Sequence, residues 1–147
     1  MNDLSNTSRP LHYHTEIADI VARMVELQQA IDNHIQDTPL RHLAVLRASQ
    51  INRCGFCVDM HTREARKDGE SNQRLDHLIV WNQTGDFSEA EKAILAWVEA
   101  LTTVRDDTDY SALRETLRHY YSDQEICAYS AVIGMINFWN RMQISGH

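Results

Sequence analysis

Two cysteines and one histidine near the middle of the chain have the residue types and the spacing that redox chemistry needs. Cys54 and Cys57 are three residues apart, and His61 follows four residues later. On a helix, this spacing puts all three side chains along one face. A thiol pair can cycle between dithiol and disulfide, and a neighbouring imidazole can receive or return a thiol proton. The spacing therefore predicts a redox-active cluster.

The spacing also suggests which cysteine reacts first. Cys57 lies one helical turn before His61, so the imidazole can take the thiol proton directly or through one water. A thiolate that attacks a peroxide becomes a sulfenic acid, and Cys54 can condense with it to give a disulfide. The helix start and the adjacent Arg53 both favour the thiolate form. The reverse order, in which Cys54 attacks, also fits, because the first cysteine of many CxxC sites is the more exposed one.

Other interpretations use the same residues. Free cysteine is among the most buried residue types, so the three side chains could simply belong to a core. Alternatively, two sulfurs and two imidazoles could form a tetrahedral zinc site if two helices bring them together. That set is His42, Cys54, Cys57 and His61. Such a zinc site, or a redox-sensitive switch, would define a binding module rather than an enzyme, and a purely structural oligomeric protein is a further class.

Helices are the elements that must position this cluster. The chain has two prolines and five glycines, and it lacks the sustained alternation of apolar and polar residues that is typical of strands. Apolar residues recur at helical spacing, which predicts an all-α fold, a compact domain of about six to seven helices. The predicted helices run from about Thr15 to Ile35, Thr38 to Asn52, the cysteines to Lys67, Asn72 to Gln83, Ser88 through Leu101, Tyr110 to Tyr121, and Ser122 through Trp139.

Polar residues mark where several of these helices begin and end. Thr38 followed by Pro39 predicts a helix cap with proline in the first turn. A break at residues 52–55 puts the cysteines at a helix start, and residues 68–69 predict the end of that helix. The pattern S-x-x-E predicts two capping boxes. Its members are Ser88 with Glu91, and Ser122 with Glu125.

Length and charge set the class of protein. The 147 residues suit one domain, which we place at residues 15–147 after a loose N-terminal arm of residues 1–14. A formal net charge of −7 argues against nucleic acid and anionic membranes as partners. No apolar stretch approaches the ~20 residues that span a bilayer, and residues 1–10 lack the apolar core of a signal peptide. We therefore expect a cytoplasmic protein without a cofactor.

The last helix is apolar on more than one face, which favours a homo-oligomer.

The remaining conspicuous residues are assigned to the core or to the surface. Cys127 has no cysteine or histidine near it in sequence and lies in an apolar helix, so we predict a core position. The three tryptophans occupy apolar helical positions and are also predicted to lie in the core. They are Trp81, Trp97 and Trp139. The polar residues that end the cysteine-bearing helix are predicted to be solvated. They are Glu64, Arg66, Lys67 and Asp68.

Three segments resemble a known family. The string from Ser49 to His61 closely resembles the signature of the AhpD-like alkylhydroperoxidase branch of the carboxymuconolactone decarboxylase family, and residues 93–102 and 137–141 are similar to that branch too. The similarity covers about residues 15–144. It implies an all-α fold that assembles into trimers or hexamers and serves antioxidant defence. In this branch the dithiol reduces a hydroperoxide, and a lipoylated carrier or another thiol donor regenerates it.

The resemblance also implies roles by position. Cys57 corresponds to the peroxidatic cysteine, Cys54 to its partner and His61 to the proton-relay histidine. The relay glutamate of the family falls twelve residues before the first cysteine, and His42 occupies that position here. A histidine can accept a proton near neutral pH, but it cannot supply a fixed negative charge.

The sequence leaves four interpretations of this departure open. Either His42 replaces the glutamate, or another acid such as Asp59 or Glu64 contributes. Otherwise the peroxidase activity is weak, or His42 is a helix histidine without a catalytic part. The family name also suggests a lactone decarboxylase, but that chemistry has no need of a CxxC pair.

Overall fold

The computed structural model describes residues 7–147, which form eight α-helices and one 3₁₀ segment and contain no β-strand. The all-α prediction is therefore confirmed. Within these residues, no helix combines the length and the apolar character that a membrane span requires. The helices are α1 (Tyr13–Glu16), α2 (Ala18–Asp32), α3 (Thr38–Ile51), α4 (Gly55–Lys67), α5 (Asn72–His77), α6 (Glu89–Thr102), α7 (Tyr110–Arg118) and α8 (Asp123–Gly146), with the 3₁₀ segment at Leu78–Gln83.

Local capping chemistry explains several helix starts. Both predicted capping boxes are present, at the first turns of α6 and α8. The predicted cap at Thr38 is wrong, because the preceding Asp37 takes that role. Its carboxylate accepts a hydrogen bond from the backbone N–H of Leu40 at 3.0 Å, so Thr38 and Pro39 become the first helical residues. A carboxylate at this position also interacts favourably with the positive end of the helix dipole.

Two predicted helices are interrupted. The helix predicted from Thr15 to Ile35 is divided at Ile17, whose φ of −134° is not helical, into the short α1 and the longer α2. The helix predicted from Asn72 to Gln83 continues as 3₁₀ after α5, and Val80 leaves the helical region with φ −123° and ψ 31°.

The central element is α3, which packs against α4, α6 and α8. Its apolar residues are buried on more than one side of the helix, because other helices cover it from several directions. They are Leu40, Leu43, Ala44, Val45, Leu46 and Ala48. A helix held in this way gives any functional side chain on it a fixed position.

Two of the residues that were predicted to lie in the core are not fully buried. Trp81 and Trp97 are buried, whereas Trp139 is partly buried against the main core. The predicted core position of Cys127 is wrong, since its side chain is exposed. Its neighbours Ile126 and Ala128 are buried, but the rotation of about 100° per residue turns Cys127 to the outer side of α8.

The segment that precedes α2 contacts the end of α8. Residues 1–6 of the predicted N-terminal arm lie outside the described residues. The backbone N–H of Leu11 donates to the carbonyl oxygen of Gly146 at 3.0 Å. The hydroxyl groups of Tyr13 and Ser145 form a hydrogen bond of 2.6 Å.

Candidate active site

The turn between α3 and α4 delivers the first cysteine. The N–H of Arg53 bonds to the carbonyl oxygen of Gln50, and the N–H of Cys54 bonds to that of Ser49, both at 3.1 Å. This pair of bonds is the Schellman pattern that ends a helix, and it requires a left-handed residue between the two elements. Arg53 takes that position with a φ of 58°. The chain therefore reverses direction tightly, and Cys54 becomes the N-cap residue of α4.

Amide side chains hold this turn against α8. The Nδ2 group of Asn52 donates to the Oδ1 atoms of Asn137 and Asn140, both at 2.9 Å. The Nδ2 group of Asn140 donates to Oγ of Ser49 at 3.1 Å, and Asn140 is completely buried. Because buried amides are costly to leave unpaired, this network fixes the end of α3 relative to α8.

Cys54 and Cys57 are joined by a disulfide, with their Cα atoms 5.3 Å apart. The sulfur of Cys54 also accepts a hydrogen bond of 3.3 Å from the backbone N–H of Cys57, as an N-cap side chain does. The two residues are 2% and 1% exposed. The structure thus brings together the predicted pair at the predicted helix start.

A cavity of about 420 Å³ lies beside the disulfide. Cys57 contributes to its wall, whereas Cys54 does not. Both His42 and His61 also line it. The exposed area of the wall is mostly apolar, and its apolar residues are Val25, Val45, Phe56, Met60, Ile136 and Trp139. Three charged side chains, Asp32, Arg41 and Glu64, also border the cavity. The second cysteine of the motif is therefore the one that faces a space where a small molecule can bind.

His61 is one of three histidines in this wall, the others being His42 and the exposed His14. Its side chain is 13% exposed, and its Nδ1 atom lies 3.2 Å from Oε2 of Glu64. Its Nε2 atom is buried and has no hydrogen-bond partner among residues 7–147. Burial lowers the pKa of His61, although the Glu64 carboxylate opposes this effect. The neutral imidazole is therefore favoured near neutral pH, which suits a proton acceptor.

His42 is the second histidine, and it reaches the cavity from α3. It is 6% exposed, and its Nε2 atom lies 2.6 Å from Oδ2 of Asp68. Asp68 is the residue that caps the C-terminal end of α4, and its side chain is 48% exposed. The predicted solvated helix end is confirmed, since Glu64, Arg66, Lys67 and Asp68 are all exposed. Glu64 and Asp68 each contact a cavity histidine in addition.

A signal for Asp68 was present in the sequence. Cys57, His61, Glu64 and Asp68 follow one another at intervals of three or four residues, so they form one stripe along α4. The stripe does not reveal the partner of Asp68, because His42 lies on another helix and 26 residues away.

The other acid that we considered for the relay, Asp59, lies elsewhere. Its carboxylate pairs with Arg63 at 2.9 Å, and both side chains are 69% exposed. Asp59 borders a shallow depression on a different side of α4, together with Gly55 and Arg66. Glu64, in contrast, lines the cavity.

The zinc alternative finds no support in the geometry. No group of three or more His, Cys, Asp or Glu side chains within residues 7–147 is arranged to hold a metal ion. The sulfurs of Cys54 and Cys57 are bonded to each other, so neither is a thiolate ligand in this state.

Comparisons with known proteins agree with the fold. Residues 18–100 match the carboxymuconolactone decarboxylase family. The uncharacterized protein YdfG of Bacillus subtilis is 34% identical over 122 residues, which are 83% of this chain and 83% of YdfG. The family match and this relative show that the chain belongs to the carboxymuconolactone decarboxylase family.

Solved structures narrow the class within the family. The protein ATU0492 of Agrobacterium tumefaciens is described as a protein of unknown function with a proposed AhpD role in antioxidant defence. It superposes with a TM-score of 0.89 at 35% identity and covers 94% of both chains. The debrominase Bmp8 superposes with a TM-score of 0.78 at 22% identity, over 88% of this chain and 69% of Bmp8. The chain therefore has an AhpD-like fold.

Proposed function

We propose that this protein is a thiol-dependent peroxidase that reduces hydroperoxides through Cys54 and Cys57. The observation that carries the proposal is the disulfide whose second cysteine lines a mostly apolar cavity together with His42 and His61. A dithiol that closes to a disulfide provides the two electrons that reduction of a peroxide requires. The apolar wall suits the organic part of an alkyl hydroperoxide.

The first step oxidises Cys57. In the reduced protein, neutral His61 accepts the thiol proton of Cys57, and the dipole of α4 stabilises the thiolate. The thiolate attacks the terminal oxygen of the hydroperoxide, so a sulfur–oxygen bond forms and the oxygen–oxygen bond breaks. The departing alkoxide takes the proton from His61 and leaves as an alcohol. Cys57 is then a sulfenic acid.

The second step forms the disulfide. The sulfur of Cys54 attacks the sulfenic sulfur of Cys57, the hydroxyl group leaves, and the proton of the Cys54 thiol completes a water molecule. A lipoylated carrier or another thiol donor then reduces the disulfide by thiol–disulfide exchange. Since that regeneration needs a reducing compartment, we also propose a cytoplasmic location.

We further propose that the protein is a homo-oligomer, a trimer or a hexamer. Several large apolar side chains remain exposed on the single chain, among them Phe56 and Phe138, which are 50% and 45% exposed. A second copy could cover such side chains. Analytical ultracentrifugation of the purified protein tests this, and a monomeric mass would contradict it.

Peroxide consumption by single-cysteine variants tests the proposed activity. The assay follows cumene hydroperoxide with dihydrolipoamide as reductant, on metal-free protein. We expect Cys57→Ser to lose turnover, because a hydroxyl group at this position is a poor nucleophile at neutral pH. Cys127→Ser is the matched control and should keep full turnover, since Cys127 lies on the outer side of α8. Turnover that survives in Cys57→Ser, or that is absent from the wild type, would overturn the proposal.

A further inference from the structure

The contact between His42 and Asp68 joins two helices at the edge of the cavity. The histidine is on α3 and its side chain is 7% exposed, whereas the aspartate ends α4 and is 48% exposed. The distance of 2.6 Å between Nε2 and Oδ2 is short for a nitrogen–oxygen hydrogen bond. One end of this pair therefore lines the cavity and the other is in contact with solvent.

The chemistry of the two groups determines which nitrogen carries the proton. An ionised carboxylate is only an acceptor, so Nε2 of His42 must donate to Asp68. In the neutral imidazole the remaining nitrogen, Nδ1, is then the acceptor. Nδ1 is consequently the atom of His42 that can exchange a proton with groups in the cavity. A carboxylate in this position also fixes the orientation of the ring.

Rotation of the His42 ring or a change of its tautomer would remove the proton acceptor that His42 presents to the cavity. Without Asp68, the neutral ring could carry its proton on Nδ1 and present no acceptor to the cavity. The buried position of His42 makes the effect larger, because a carboxylate acts more strongly on a partner that is shielded from water.

We propose that Asp68 is a positioning residue for the reaction and that it makes His42 a second proton carrier beside His61. The inference rests on the proposed peroxidase function. The full reaction moves one thiol proton to the alcohol and one to water, so His42 and His61 give each proton a carrier, whereas His14, the third histidine of the wall, is exposed. Asp68, at the C-terminal end of α4, supports this proton transfer indirectly, because its carboxylate contacts His42.

Kinetics of Asp68→Asn against pH test the proposal. Asparagine keeps the size of the side chain but removes the charge, and its amide N–H can donate to Nε2 of His42, which leaves the ring proton on Nδ1. We expect kcat to fall about tenfold at pH 7.5, with KM for cumene hydroperoxide within about twofold of the wild type. We also expect the pH profile of kcat to change, because the nitrogen that faces the cavity would then carry a proton instead of accepting one.

Asp59→Asn is the matched control, because it removes an aspartate from the same helix outside the cavity. It breaks an exposed ion pair with Arg63 and should leave kcat and the pH profile unchanged. Thermal unfolding of both variants shows that each remains folded. An Asp68→Asn variant with the kinetics and pH profile of Asp59→Asn would overturn the proposal.

A second readout does not depend on turnover. Nitrogen-15 chemical shifts of the His42 ring should report a proton on Nε2 in the wild type at pH 8, and a changed tautomer ratio in Asp68→Ala. A wild-type ring protonated on Nδ1 would overturn the positioning role. If the wild type consumes no hydroperoxide, the peroxidase proposal fails on its own, and the tautomer measurement still decides whether Asp68 positions His42.

Discussion

The turns before and after α4 have the same pattern of backbone hydrogen bonds, but a different residue occupies the left-handed position in each. After α4, the backbone N–H groups of Gly69 and Glu70 donate to carbonyl oxygens in the last turn of α4. Before α4, those of Arg53 and Cys54 donate in the same way to the last turn of α3. The left-handed residue is Arg53 at the first turn and Gly69, with a φ of 98°, at the second. Glycine adopts such a conformation with little strain, whereas another residue costs about 1–2 kcal/mol.

The difference shows where the molecule tolerates strain. The strained turn is the one that holds the disulfide, and the amide network from Asn52 to α8 keeps it in place. The relaxed turn carries Asp68, whose role needs only that its carboxylate reach His42. Strain that persists because the surrounding structure fixes it is common at functional sites. Variants at the two turns can therefore separate catalysis from stability.

The largest effect is expected for Cys54→Ser at the first turn. Serine is a good N-cap residue, so α4 should remain folded. Steady-state turnover should fall at least about hundredfold, because Cys57 then lacks its disulfide partner. Trapping with dimedone and mass spectrometry should detect a sulfenic acid on Cys57. A sulfenic acid trapped only on Cys54, in the Cys57→Ser variant, would instead reverse the order of attack.

Asn52→Ala should weaken the support of the same turn. The variant leaves the buried Oδ1 of Asn140 without its donor, which costs about 2 kcal/mol of unfolding free energy. Chemical denaturation measures the change. Exposed Asn82 provides a control, since Asn82→Ala should stay within about 0.5 kcal/mol of the wild type. Equal losses in the two variants would mean that the network does not support the turn.

The pH dependence should reveal the state of His61. Burial lowers the pKa of His61 in the folded protein, so protonation is harder there than in the unfolded chain, where it occurs near pH 6.5. The unfolding free energy contributed by neutral His61 is thus complete above about pH 6.5 and declines as the pH falls below it. His61→Gln should make the unfolding free energy depend less steeply on pH in this range, and it should lower turnover about tenfold at pH 7.5. His119→Gln, on an exposed histidine, should change neither quantity.

At the relaxed turn, Gly69→Ala should cost about 1 kcal/mol of unfolding free energy, because alanine resists the positive φ. No atom lies within 4 Å of the added methyl group, so the loss would come from the backbone alone. Gly85→Ala is the control, since its added methyl group also meets nothing and its φ is not in the positive range. A larger loss at Gly85 would contradict the assignment of strain.

The smallest effect is expected for Arg53→Gly. Relief of about 1–2 kcal/mol of strain is largely offset by the greater entropy of glycine in the unfolded chain, which leaves a gain of about 0.5 kcal/mol. Chemical denaturation measures the change. A variant that loses stability would show that the left-handed turn is not strained.

The sequence revealed those features of the site that depend on neighbours within one helix. Cys57 and His61 share a helical face, and the capping boxes at Ser88 and Ser122 are equally local. Contacts between helices could not be predicted in this way, because nothing in the spacing pairs His42 with Asp68 or Asn52 with Asn140. The same reason explains the error at Cys127, where an apolar sequence neighbourhood did not determine which side of α8 another helix would cover.

Trp139 gives the cavity an optical reporter. Its indole lines the cavity wall, and its Nε1 group donates to Gln28 at 3.1 Å. Trp81 and Trp97 donate instead to Glu99 and Ser130, away from this wall. A molecule that enters the cavity changes the polarity around one indole in three, so intrinsic fluorescence can follow its arrival in real time without a label.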